Sequence, residues 1–116
     1  MQYKIFVKPT QISLVFATWC PHCQPQSVEA TKKMSQDLKV PLRLLDIDQP
    51  DAVKIADDLV KKHGDDSEDY LIPQVFLEFP DGRVEHVFTG FSEDAAVTRK
   101  HWDDFFQSKF YKSLSN

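Results

Sequence analysis

Both cysteines of this 116-residue chain fall in one pentapeptide, Trp19-Cys20-Pro21-His22-Cys23. Thiol–disulfide exchange needs one thiolate to attack a disulfide and a second thiol near enough to resolve the mixed disulfide. A Cys-x-x-Cys where a strand gives way to a helix offers both. A bridge between Cys20 and Cys23 would close so small a ring that it removes almost no freedom from the unfolded chain, so its use is chemical rather than structural. Cys20, at or just before the helix N-terminus, is expected to present an exposed sulfur. Its negative charge is favoured there by roughly 0.3–2 kcal/mol through unpaired N–H groups and the helix dipole. Cys23, one turn further on, reads as the more buried, resolving thiol.

The same two sulfurs suit a second chemistry, in which Cys20 and Cys23 hold Cu(I), Zn²⁺ or a bridging iron–sulfur cluster in a carrier. His63, His86 and His101 are scattered over separate presumed surface elements and form no His-x-His set or second ligand pair beside them. A third reading is an interaction module without catalysis.

The scaffold around the pair is legible as periodicity. Tyr3 to Val7 is a short β-like run closed by Lys8-Pro9. Ile12 to Ala17 is a continuous apolar run of the kind buried on both faces of a sheet, and it leads into the cysteines. A helix is predicted over about 21–38, burying Val28, Thr31, Met34 or Ser35, and Leu38. Pro21 suits its first position, and Pro25 predicts a loosened or kinked first turn. Leu42 to Ile47 is a third strand, followed by the turn Asp48-Gln49-Pro50. A helix over about 51–63 buries Ala52, Ile55, Ala56, Leu59 and Val60 and stops at Gly64, in the C′ position that favours glycine. Asp65 to Asp69 is an acidic loop, read as solvation or as a partner contact.

Gln74 to Phe79 and Val84 to Thr89 flank Pro80-Asp81-Gly82-Arg83, a hairpin turn, and so form an antiparallel pair. A last helix starts at Ser92, an N-cap followed by Glu93 and Asp94, and runs to about 113. Trp102, Phe105, Phe106 and Phe110 make its aromatic face, whose spacing is that of core. The order β-β-α-β-α-β-β-α calls for an α/β fold with a mixed sheet and helices on both faces.

Length and the 41% hydrophobic content fit one compact domain over 1–116. The net charge of −4 argues against nucleic acid as a partner, although the segment carrying the cysteines is locally positive. No stretch approaches the roughly 18 apolar residues of a membrane span, and Ile12 to Ala17 is too short and too far inside for a signal sequence. The chain therefore reads as cytoplasmic, or as periplasmic or secreted where a leader has been removed, and as a monomer.

Four features together resemble the thioredoxin superfamily from Ile12 onward. They are Trp19 to Cys23 at a strand-to-helix junction, Asp46-Ile47-Asp48-Gln49-Pro50 after the next strand, Ile72-Pro73 opening the hairpin, and Gly90 following it. The resemblance implies a thioredoxin fold, with a central mixed sheet of four to five strands flanked by about three helices. It implies a thiol–disulfide oxidoreductase with no cofactor beyond the redox-active pair, Cys20 as nucleophile and Cys23 resolving. Its partners are protein thiol or disulfide substrates and, as electron partner, a reductase or glutathione. It also implies a cis Pro73 whose neighbour Ile72 pairs with an extended substrate, with Trp19 as a hydrophobic platform and Gly90 completing the substrate-binding set.

Pro21-His22 between the cysteines resembles disulfide-donating Dsb-type proteins, in which the histidine stabilises the reduced thiolate; a solvent-facing histidine of little effect is the other reading of His22. Potentials in such proteins span about −270 to −120 mV, a range worth roughly 7 kcal/mol. Two departures are an apolar residue in place of a buried acid and a stretch before Ile12 too short for the usual first helix, which leaves Tyr3 to Val7 as an edge strand. Thioredoxins and Dsb-type proteins carry a buried acid six residues before the first cysteine, where this chain has Leu14. Ile72-Pro73-Gln74-Val75-Phe76 is similar to a glutaredoxin strand, which implies a glutathione-dependent reductase as the alternative. Gly90-Phe91-Ser92-Glu93-Asp94 matches only part of the glutathione-holding pattern.

Overall fold

The run Gln11–Phe16 forms β1, and every residue from Ile12 to Ala17 is buried, as its largely apolar character favours. The computed structural model describes residues 8–20, 26–65, 70–89 and 95–114. The expected strand Tyr3 to Val7, most of the acidic loop and the expected cap at Ser92 lie outside them. β1 pairs in parallel with β2 (Leu42–Asp46) and antiparallel with β3 (Gln74–Glu78), which pairs antiparallel with β4 (Val84–Thr89). The result is a four-stranded mixed sheet in the order β2-β1-β3-β4. Among the described residues four helices accompany it: α1 (Val28–Leu38), α2 (Pro50–His63), α3 (Ala95–Gln107) and α4 (Lys109–Ser113).

Because side chains alternate across a strand, β1 supplies both faces of the sheet. Ile12, Leu14 and Phe16 join Val75 and Leu77 in a core covered by Met34 and Leu38 of α1 and Trp102 of α3. Val15 joins Leu45 and Phe76 on the opposite face, covered by Ala56, Leu59 and Val60 of α2. Ser13, the one polar residue in the run, lies beside an ion pair. Its hydroxyl donates to Glu78 Oε2 at 3.2 Å and accepts from Arg43 Nε at 3.1 Å, while Arg43 Nη2 meets the same Glu78 oxygen at 2.8 Å.

Several expectations are corrected. Ile55 is 40% exposed, because one residue is about 100° of helix rotation and Ile55 is displaced by that angle from the buried Ala56. Gly64 ends α2 in an extended conformation, φ −110°, so its missing side chain serves close packing rather than a left-handed turn. A Cβ there would fall 2.7 Å from Phe76 Cζ and against Gln74 Oε1, which the Asp65 N–H already engages. The left-handed helix end belongs instead to Lys39, φ 58°, after α1.

The last helix is two. Ser108 adopts φ −70°, ψ 154°, donates its hydroxyl to the Phe105 carbonyl and accepts the Tyr111 N–H, ending α3 and capping α4. The change of direction leaves Phe110 41% exposed and buries Leu114 in its place. It also brings Tyr111 back to α1, where its hydroxyl donates to Asp37 Oδ2 at 3.2 Å. The hydrogen bond from Lys33 is the largest influence holding the Asp37 carboxyl below its usual range. Burial, then the Asp37 charge, pushes the Tyr111 phenol up from near 10 to about 12.

Two outcomes follow from this packing. Gly64→Ala should lower the unfolding free energy by about 1–3 kcal/mol, read as a lower denaturation midpoint at unchanged m-value. The folded chain holds the Tyr111 proton more tightly than the unfolded one, so that stabilisation is complete below pH 10 and is lost as pH rises towards about 12. A Tyr111→Phe variant should lack this alkaline component in stability measured against pH.

Candidate functional site

One end of the sheet gathers the residues that can do chemistry. Register pairs Val15 with Gln74 and Phe16 with Asp46, so the chain leaves β1 towards Cys20 beside the point where Ile72-Pro73 enters β3. The Ile47 N–H donates to the Phe16 carbonyl at 3.0 Å, which carries the β2–α2 turn to the same end. β4 finishes there too, Thr89 standing opposite Gln74. Three segments distant in sequence therefore meet around the segment that follows β1.

The Ile72–Pro73 peptide bond is cis, as the resemblance implies, and Pro73 is buried. Ile72 packs against both cores, which anchors the entry to β3 from either face of the sheet. Gln74, fully buried, ties this entry to the end of α2. Its side-chain amide donates to the carbonyls of Leu71 and Asp65 at 2.9 and 3.3 Å and accepts the Asp65 N–H at 3.1 Å, meeting the rule that buried polar groups must pair.

Trp19 stands out of the surface, 65% exposed, and is therefore not core. Its indole N–H donates to Asp48 Oδ2 at 2.9 Å, and the Asp48 N–H in turn donates to Asp46 Oδ1 at 2.9 Å. The turn after β2 thus holds the indole by its polar edge and leaves the ring open to solvent. From sequence Asp48 is legible only as part of a turn. The signal that could have found it is its carboxylate, an acceptor of the kind an indole N–H can use.

Cys20 overturns an expectation. It is a free thiol only 5% exposed, set in the same core as Ala17, Phe16 and Met34, rather than an exposed sulfur. Its backbone N–H donates to the Ala17 carbonyl at 3.1 Å, turning the chain inward immediately after the solvent-facing Trp19. Pro21, His22, Cys23 and Gly90 lie outside the described residues. The described part of the following helix opens with a π-helical turn at Gln26 and Ser27, a local widening frequent at functional sites, before α1 proper. Leu14 is fully buried among apolar neighbours.

One buried polar contact near this helix start was not anticipated. Trp102, read from sequence as core, is core; its indole N–H also donates to Ser27 Oγ at 3.0 Å, tying α3 to the beginning of α1. A buried tryptophan has one N–H to satisfy, so a polar partner was due from its type alone. Among the described residues no group of three or more His, Cys, Asp or Glu side chains is arranged to hold a metal ion, and no helix is long and apolar enough to cross a membrane.

Asp48→Ala should release the indole of Trp19 at little cost to the fold, about 1 kcal/mol or less for an exposed hydrogen bond. With 5-fluorotryptophan incorporated, the fluorine resonance of Trp19 should move and narrow while that of Trp102 stays in place. No protein-family model matches the chain, and neither a curated protein nor a solved structure is found similar to it.

Proposed function

We propose that this protein is a thiol–disulfide oxidoreductase of thioredoxin fold, working through Cys20 and Cys23 on protein substrates. The observation that carries the reading is the convergence at one sheet end of Cys20 with a cis Ile72–Pro73 bond on the neighbouring strand. A parallel β1–β2 pair, an antiparallel β3–β4 hairpin and helices on both faces are the frame that such a fold has.

The Cys20 thiolate attacks one sulfur of a substrate disulfide, forming a mixed disulfide and expelling the other sulfur as a thiolate that takes up a proton. Cys23 then loses its proton and attacks the Cys20 sulfur. The Cys20–Cys23 bond forms, the mixed bond breaks, and the second substrate sulfur leaves and is protonated. One substrate disulfide is reduced to two thiols while the protein dithiol is oxidised; run backwards, the same steps donate a disulfide. An extended substrate segment lies against the backbone at Ile72, where β3 begins, and the open ring of Trp19 supplies apolar contact. Cys20 is only 5% exposed, so a substrate disulfide must be brought close against the sheet end to react with it. Glutathione or a protein reductase closes the cycle by reducing the Cys20–Cys23 bond.

Equilibration across glutathione redox ratios, followed by alkylation and mass measurement, should show the Cys20–Cys23 disulfide forming in a single two-electron transition. Cys20→Ser should abolish reduction of a disulfide-bonded protein substrate without altering the fold. A pair that stays reduced at every ratio, or a serine variant as active as the parent, would overturn the proposal.

A further inference from the structure

Trp19 presents 65% of its surface to solvent, although a tryptophan ring is among the side chains that gain most from burial. The ring is exposed yet fixed. Its indole N–H is committed to Asp48 Oδ2 at 2.9 Å, and the Asp48 backbone N–H is committed in turn to Asp46 Oδ1 at 2.9 Å. A π-face held open in one orientation is a contact surface. Cys20 follows Trp19 directly in the chain, so a group lying on the ring belongs to the same stretch of substrate as the disulfide that Cys20 attacks.

The charge around the ring limits what that group can be. The turn from Asp46 to Asp51 carries three carboxylates and no basic residue. Elsewhere on the surface acids sit against bases, as Asp37 does against Lys33, Asp58 against Lys62 and Glu78 against Arg43. Asp46 and Asp48 have no such cationic partner among the described residues. Asp65, at the end of α2, is already engaged by the Thr89 hydroxyl at 2.8 Å. The open negative charge therefore lies on the Trp19 side. An aromatic face attracts cations through its quadrupole, tryptophan most of all, and a carboxylate at the ring's edge adds to that attraction. A guanidinium meets both demands, being planar for stacking and forked for a carboxylate. Asp48 Oδ2 accepts the indole N–H, and the carboxylate has further acceptor sites. A second copy of this chain would bring carboxylate against carboxylate, and an anionic lipid surface would be repelled in the same way.

We propose that the substrate is a basic segment with an arginine close to its disulfide-bonded cysteine, the guanidinium stacking on Trp19 and pairing with the Asp48 carboxylate. The inference rests on the oxidoreductase reading above and names the substrate class for that same site. An extended segment advances by about 3.3 Å per residue, so an arginine within about two positions of the cysteine reaches the ring. The exchange steps are those already given. The arginine acts by holding the disulfide at the sheet end, against the nearly buried sulfur of Cys20.

Blocked peptides dimerised through one central cysteine, with arginine, lysine, leucine or glutamate beside it, are mixed with the reduced protein and quenched by acid. Loss of the peptide disulfide reports the attack by Cys20, and dividing each rate by that with dithiothreitol removes the peptide's own reactivity. The arginine peptide should react about tenfold faster than the leucine peptide and faster than the lysine peptide, with glutamate slowest. Raising the ionic strength from about 0.01 M to about 1 M, which cuts the Debye length from about 30 Å to about 3 Å, should shrink the arginine advantage severalfold. This salt series is read on the parent alone and does not depend on a variant folding. Asp48→Asn keeps a carbonyl oxygen for the indole N–H and loses the charge, so the arginine-to-leucine ratio should fall about threefold or more. Trp19→Leu should bring arginine level with lysine. A leucine peptide as fast as the arginine peptide, or an arginine preference that survives both substitutions, would sink the assignment. Failure of the parent to attack any of the peptides would instead count against the oxidoreductase reading.

Discussion

β1 is hydrogen-bonded along both edges and buried on both faces, and the rest of the molecule is arranged by that double demand. Each buried backbone N–H and carbonyl of the strand must find a ladder partner, which commits β2 and β3 to their positions beside it. Each side chain must find apolar cover, which commits α1 and α3 to one face and α2 to the other. The single polar side chain inside the run, Ser13, is tolerated because Arg43 and Glu78 supply its partners from the strands on either side. Once those neighbours are in register, the segments that continue past the sheet end are brought together whatever their distance in sequence. Trp19, Cys20, Asp48 and Pro73 come to the same end of the sheet for that reason.

The face covered by α1 and α3 is the more demanding of the two. Trp102 fills the space between the helices and the sheet, yet carries an N–H that water cannot reach, and Ser27 accepts it. Around Trp102 the rings of Phe105 and Phe106 meet it with centroids 5.8 Å away, and Tyr111 packs against both from α4. Such contacts are individually small and act together. The break at Ser108 makes them compatible, since an unbroken helix would carry Tyr111 away from Phe105 and Asp37. α1 and α3 are therefore held together by aromatic packing and by the buried Trp102–Ser27 hydrogen bond.

Much of this architecture is legible in the chain. The apolar run at Ile12 to Ala17, the 3.6-residue spacing in α1 and α2 and the Pro-Asp-Gly turn of the hairpin all act over a few residues, and the elements they foretell are present, with β1, α2, the hairpin and the end of α1 close to the expected bounds. What is not legible depends on contacts from far along the chain. Gly64 looks like a helix-ending glycine and ends a helix, but the reason it is glycine is the Phe76 ring and Gln74 amide on another element. Lys39 holds a left-handed conformation that its residue type does not announce. Ser108 resembles any surface serine until the two halves of the aromatic face have to be turned relative to each other.

At the site the division is sharper. Covalent order and local periodicity are enough to establish that two thiols sit three positions apart after a buried strand, beside a tryptophan and with an Ile-Pro pair later in the chain. They do not reach the directions those side chains take. Only in the assembled fold does Trp19 point outward while Cys20, its neighbour, turns into the core, and only there does Asp48 hold the indole edge. Burial and hydrogen-bond pairing are properties of the completed sheet end, where four separated segments compete for the same space, and no window of the chain contains all of them.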